Sequence, residues 1–327
     1  MRRSISILAI VLILAIAWSG GWYALARYAE HRADAGLKEL AANGVEVDCR
    51  DREIGGFPFA LRVVCGPTAI AQPAEDVRTQ LAGVSAGVSV FAPLTGRIAM
   101  TAPVAIRSPT LAGPAALRFD DAAFDVGIWL NGPRDYAFDT TNLVAEFTIP
   151  EEPTQTIAAA TAEGSLALSE DAGSDIALRF TDFSFSAGPT RFPAFSGSLE
   201  GELSVPPRAL LSGEAGLQAP ISARGIEIRL ESGGAQLDID GDLAIDAEGV
   251  IDGTVIFRVA GAEKLPAFIA ALPEEWQKHG NAIAGGLLIL GSPTTIDGEP
   301  ASEMKIEIER GETRIGPVPL SLPRVPL

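Results

Sequence analysis

Histidine, cysteine and lysine are all scarce in this chain of 327 residues. With 2 histidines and 2 cysteines, a His/Cys metal cage of the zinc-finger type is excluded. Lysine occurs only at Lys38, Lys264, Lys278 and Lys305, and the formal net charge is −17. Nucleic-acid binding needs clustered Lys and Arg against phosphates, so the charge argues against that class. Aromatic residues are only 6%. Neither a P-loop nor a dinucleotide glycine fingerprint is present, so no cofactor is expected. Glycine (34) and proline (23) are by contrast plentiful, which suits many turns and hence many short strands.

What is present begins with an address. Arg2 and Arg3 precede an uncharged stretch at 4–26, rich in Ile, Leu and Ala. Its length as a helix, about 34 Å, is enough to cross a ~30 Å hydrocarbon core. The leading arginines place the N-terminus in the cytoplasm. Trp18, Trp22, Tyr23 and Tyr28 stand at the far end, where an interfacial aromatic belt belongs. The preferred reading is an uncleaved signal-anchor at 1–27, followed by a juxtamembrane helix at 28–44. A cleaved signal peptide is the alternative, with A-x-A sites at Ala15-Ile16-Ala17 and Ala24-Leu25-Ala26. Either way the body is expected in the periplasm, and the anchored form sits in the inner membrane.

The two cysteines fit that compartment. Cys49 and Cys65 flank Gly55-Gly56-Phe57-Pro58, between two segments that read as strands. A hairpin centred on Phe57 sets them directly opposite each other, at disulfide distance. Such a bridge is worth ~3 kcal/mol by loop entropy. Two buried free thiols are the alternative, and without C-x-x-C a redox-active pair is disfavoured.

Beyond the anchor the pattern is mostly period two. Ile226, Ile228 and Leu230 alternate with Glu227, Arg229 and Glu231, then Leu237, Ile239, Leu243 and Ile245 alternate with Asp238, Asp240, Asp242 and Asp246. This is an antiparallel meander with one apolar and one wet face. Further strands are expected at 97–106, 115–130, 135–149, 156–168, 175–187, 195–205, 282–291 and 303–316. A parity flip between Phe180 and Phe183 points to a bulge near Thr181. The proline-rich tail after Gly316 reads as extended. Helix is scarce: one run at 263–278, broken at Pro273, and a short piece after Pro206-Pro207. The fold class is mainly β, a long, curved, mostly antiparallel sheet, groove or sandwich, behind a transmembrane helix. Its parts are a first β region at 45–205, a connecting segment at 206–220 and a second β region at 221–327.

Three constellations invite chemistry. Gly83-Val84-Ser85-Ala86-Gly87 fits G-x-S-x-G, but a nucleophile elbow needs a strand before it and a helix after it. Ser85 reads as mid-strand, so an esterase is only a remote alternative. Asp238, Asp240 and Asp242 resemble a calcium loop, yet Leu243 and Gly249 stand where Gly and Glu are required. At strand spacing they form one solvated face. His31 and His279 read as surface or interface residues, and Glu274 and Glu275 beside Pro273 read as a helix N-terminal turn.

Several segments resemble a family of uncharacterised envelope proteins of Gram-negative bacteria, the domain of unknown function 2125 family. They are the anchor ending in Trp22-Tyr23, Ile54-Gly55-Gly56-Phe57-Pro58-Phe59 with its following Cys65 strand, and 311–320 near the C-terminus. The resemblance covers nearly the whole chain and carries over no catalytic residue. Ala60 stands where that family commonly has a basic residue after Phe-Pro-Phe. The architecture is also similar, at fold level only, to AsmA-type envelope proteins, which implies a long curved sheet with an apolar groove linked to lipid movement.

The expected function is therefore non-enzymatic. The apolar sheet face, with Ile226, Ile228, Leu230, Leu237, Ile239, Leu243 and Ile245, is the candidate site for a lipid or acyl chain. A scaffold that binds another envelope protein is the alternative. An ordinary closed β core would carry the same pattern.

Overall fold

A computed structural model describes residues 2–129, 132–169, 173–212, 220–265, 269, 277, 281, 284–285, 291–315 and 318–321. Strand dominates them. The chain opens on α1 (Arg2–Ala42), 41 residues without proline, about 60 Å long at 1.5 Å per residue. Its C-terminus is closed by two hydrogen bonds, from Gly44 N to Ala41 O at 3.1 Å and from Val45 N to Leu40 O at 2.9 Å. That pair of bonds satisfies the last orphan carbonyls. Among the described residues no helix is long and apolar enough to cross a membrane. The side chains of 1–11, which open the apolar stretch, lie outside the described residues.

The chain divides into two compact units, one of Met1–Trp129 with Phe147–Glu152, the other of Leu130–Glu146 with Pro153–Leu327. The division does not coincide with the segment at 206–220. That segment joins two strands that are neighbours in one ladder, so its prolines mark a connection inside the second unit.

In the first unit α1 is followed by β1 (Glu46–Cys49), β2 (Glu53–Gly55), β3 (Ala60–Cys65), β4 (Thr68–Gln72), β5 (Val77–Ser89), β6 (Ala92–Arg107), β7 (Ala115–Arg118) and β8 (Asp121–Trp129). The long β5 organises them. Its first half pairs with β4 and its second half with β3, while β6 lies along its other edge. β4 pairs in turn with β1, β3 with β2, and β6 with β7 and β8, all antiparallel. The expected strand at 115–130 is thus two strands, parted at 119–120. Thr68, Leu81 and Val104 are opposite one another on β4, β5 and β6 and are buried. This row, with Ala115, Ala122 and Ala123, is the small core of the unit.

Cys49 and Cys65 are bridged, with Cα atoms 5.3 Å apart, inside the usual disulfide range. The pairing around them differs from a hairpin centred on Phe57. Gly55 lies opposite Arg62, and Cys49 opposite Thr68, so Cys65 falls three positions short of its partner's register. The hydrogen bond from Ala60 N to Gly56 O closes the turn at 56–60 and shifts the register toward the C-terminus. The bridge is therefore diagonal, joining β1 to β3 although each pairs with a different strand.

The second unit is a meander. It runs through β9 (Gly132–Phe147), β10 (Gln155–Leu168), β11 (Ser174–Ala187), β12 (Thr190–Arg191), β13 (Phe195–Leu203), α2 (Pro207–Ser212), β14 (Ile221–Ser232), β15 (Ala235–Ile245), β16 (Ile251–Ala260), β17 (Ser292–Ile296), β18 (Glu299–Glu309), β19 (Glu312–Ile315) and β20 (Val318–Ser321). Strands pair in the order β9, β10, β11, β13, β14, β15, β16, β18, β19, β20, antiparallel from β10 onward. β12 and β17 add to β11 and β18. The register of β11 against β13 shifts between Phe180 and Phe183, which places a bulge at Thr181 and Asp182, as the parity flip suggests. There the Thr161 and Thr181 hydroxyls share a hydrogen bond of 2.7 Å.

After β16 one expectation holds where it is described and one does not. Ala262–Lys264 is a short 3-10 turn, and Leu265, Ile269 and Gln277 are helical within the run at 263–278. Pro273, Glu274, Glu275 and His279 lie outside the described residues. The strand expected at 282–291 is not one where it is described, since Ala284 and Gly285 are helical. An apolar run bounded by glycines has no periodicity that separates strand from buried helix.

Candidate functional site

The register of the second unit aligns its apolar residues into rows across the strands. One row passes through Gly164, Leu178, Leu199, Ile228, Ile239, Phe257 and Met304, each opposite the next. A second passes through Ala162, Phe180, Gly197, Leu230, Leu237 and Val259. The third joins Leu166, Ile176 and Gly201 on β10, β11 and β13. It resumes with Ile226, Gly241, Val255 and Ile306 beyond the irregularity where β13 meets β14. Side chains two apart on a strand share a face, so these rows form one continuous apolar surface.

All seven candidate residues, Ile226, Ile228, Leu230, Leu237, Ile239, Leu243 and Ile245, lie on this face. Leu243 is opposite Ala223, and Ile245 opposite Ile221, past a further register shift between Ala223 and Ile226. None of the seven is fully buried and none is fully exposed. The sequence set covered β14 and β15 only. It missed Leu178, Leu199, Phe257, Met304 and Ile306, which extend the face to both sides. Period-two alternation was visible in those strands, but the pairing register that aligns them with Ile228 and Ile226 was not.

Glycines shape the surface. A Cβ at Gly164 would meet the Phe138 ring at 2.4 Å, and one at Gly201 the Cδ1 of Ile226 at 2.4 Å. Large side chains therefore lie across bare backbone. Phe180, Phe183 and Phe195 gather where the bulge occurs, with ring centroids 5.1–5.7 Å apart. The bulge brings Phe180 and Phe183 onto the same cluster.

The opposite face is ionic. Arg179 reaches Glu163 at 3.5 Å and Glu200 at 3.7 Å. Arg229 pairs with Asp238 and Asp297, each at 3.1 Å. Arg258 joins Asp240 and Glu303, tying β15, β16 and β18 together. The hydrogen bond with Glu303 holds Arg258 above the ordinary guanidinium range, against partial burial and with help from Asp240. Asp238 does the same for Arg229. Asp242, the third carboxylate of the resemblance to a calcium loop, accepts a hydrogen bond from Gly225 N at 2.7 Å. All three aspartates are thus engaged by an arginine or a backbone amide.

Ser85 sits in the middle of β5, opposite Val64 and Ala99. The strand continues past it, so the strand-to-helix turn of a nucleophile elbow is absent at this position. It lines a cavity of about 320 Å³ beside Arg62 and the 2.7 Å Arg97–Asp125 ion pair. His31 is exposed on α1.

The chain matches no curated protein and no solved structure. A family model does match it, over residues 22–323, from Trp22 on α1 through the β-rich body to just past β20. By that match the chain belongs to DUF2125, the family described as an uncharacterized protein conserved in bacteria.

Proposed function

We propose that this protein is held in the inner membrane by the N-terminal part of α1 and binds lipid acyl chains on the apolar face of the second unit. The observation that carries the reading is the set of three aligned apolar rows, whose side chains, Val259 excepted, stop short of burial. Closed β cores bury such rows under a second layer. Flexible acyl chains fit a wide apolar surface of aliphatic and phenylalanine side chains.

Membrane attachment is supported by Leu12, Ile13, Leu14 and Ile16, which stay 61–64% exposed on α1, and by Arg2 and Arg3 ahead of them. The Cys49–Cys65 bridge supports a body on the oxidising, periplasmic side.

The test uses the full chain in inner-membrane vesicles with a photoactivatable phospholipid whose reactive group lies in the acyl chain. Crosslinked peptides are expected from β14, β15 and β16. Ile239→Asn is expected to lower that labelling several-fold while circular dichroism stays native. If Ile239→Asn unfolds the body and the native chain takes no label, the face is a closed core and the lipid reading fails. A stoichiometric protein crosslinked there instead would turn the reading into a scaffold.

A further inference from the structure

The first unit ends in an apolar tip that the acyl-chain reading does not use. Phe57 and Phe59 lie in the turn between β2 and β3, and Phe91 and Leu94 lie where β5 turns into β6. Val90 N donates to Phe59 O at 2.9 Å, and the Phe59 and Phe91 rings are 5.7 Å apart, so the two turns form one tip. Phe57, Phe59, Phe91 and Leu94 are 53%, 57%, 81% and 58% exposed. The sequence carries no charge at 54–61 or at 86–96, while Arg52, Glu53, Arg62 and Arg97 border these stretches.

This tip is fastened to α1 at a definite height. Trp18 Nε1 donates to Pro58 O at 3.1 Å, and Trp22 Nε1 to Ala60 O at 2.9 Å. The Trp22 ring also meets Phe57 edge-on at 5.4 Å. Crossing ~30 Å of hydrocarbon takes about 20 residues. Counted from Ser4, the first residue after the arginines, such a span ends near Tyr23. Trp18 then lies about 8 Å inside the far boundary, and tilting the helix would move the exit further along it. A hairpin hydrogen-bonded at that height cannot remain in water.

Resting on the reading of α1 as a membrane anchor, we propose that the tip of Phe57, Phe59, Phe91 and Leu94 dips into the outer leaflet of the same membrane. Its chemistry fits the boundary between headgroups and acyl chains, where amphipathic elements settle ~5–10 Å deep. The indole N–H groups of Trp18 and Trp22 occupy the carbonyls of Pro58 and Ala60, as backbone in an apolar medium requires. Arg62, exposed beside the tip, stands where it can reach phosphates. The first unit is thereby held by two attachments, which fixes its orientation to the bilayer.

Depth-dependent quenching tests this on the full chain in vesicles of phosphatidylethanolamine and phosphatidylglycerol. A polarity-sensitive fluorophore is placed on Phe91→Cys, on Leu12→Cys in the anchor, and on Glu75→Cys in the β4–β5 turn, about 40 Å away along β5. The native cysteines are bridged and do not react. The fluorophore at Phe91→Cys is expected to lose most of its emission to lipids with a doxyl group near the headgroup. At Leu12→Cys it should respond to a doxyl group deep in the chain, and at Glu75→Cys to neither. A quenched Leu12→Cys with an unquenched Phe91→Cys overturns the tip and leaves the anchor standing. If neither is quenched, the anchor reading falls and the tip with it. A blue-shifted but unquenched Phe91→Cys would mean that protein covers the tip, and overturns the proposal as well.

Discussion

Gly253 in β16 and Gly298 in the turn between β17 and β18 separate two reasons for using glycine. Both have positive φ, at 148° and 89°. A Cβ at Gly253 would stand 2.1 Å from the Asp242 carbonyl oxygen, whereas one at Gly298 meets nothing within 4 Å. Gly253→Ala is therefore expected to cost about 2–4 kcal/mol, and Gly298→Ala about 1 kcal/mol from backbone conformation alone. Urea midpoints measure both, and equal losses would show that the clash is not what matters. Glu307 is a residue of another kind. Its hydrogen bond from Lys305 Nζ, at 2.7 Å, holds it below the ordinary carboxylate range. A depressed folded value contributes stability above the unfolded value and loses it as pH falls through the folded one. Both side chains are exposed, so the contribution is small and belongs to titration rather than to unfolding. An NMR titration should place Glu307 below an ordinary glutamate, and Lys305→Ala should return it there. A titration unmoved by that substitution would remove the lysine as the cause.

Arg258 is where single contacts become a property of strands, because it joins β16 to both neighbours. Arg258→Ala is expected to cost about 1–2 kcal/mol, a charge-assisted pair discounted for partial exposure. Faster hydrogen exchange in β16 would report it. Arg258→Lys should recover only part, since an ammonium lacks the planar fork that reaches both carboxylates. At this scale much was legible in advance. Alternation at 226–245 placed β14 and β15, and the parity flip between Phe180 and Phe183 placed the bulge. What escaped depends on partners distant in sequence. The turn around Gly56 is closed by the Gly56 O–Ala60 N bond, and nothing in the spacing of Cys49 and Cys65 shows where that bond falls. The disulfide could thus be anticipated while its ladder could not. The rows through Leu178 and Leu199 escaped for the same reason, since register is a relation between strands.

For the whole molecule, the two units make separate stability statements. The Cys49–Cys65 bridge lies in the first unit. Its replacement by two alanines is expected to cost about 3 kcal/mol. Hydrogen exchange should then quicken in β1–β5, with β14–β16 holding their protection. Equal loss in both would mean that the chain opens as a single cooperative body. The proline-rich stretch at 206–220 looked like a boundary because composition marks every interruption of structure alike. Only pairing distinguishes a linker from a crossing between neighbours such as β13 and β14. The order of that pairing has a further consequence. From β9 to β16, and again from β18 to β20, each strand meets one that follows it closely in the chain, so closing each of these pairs costs little loop entropy. A chain made from its N-terminus can add these strands as they appear. At every stage the growing sheet then ends in a bare edge of unpaired amides and carbonyls. Its side chains differ from one pause in synthesis to the next. A factor that shields the nascent chain would have to recognise that edge by its backbone.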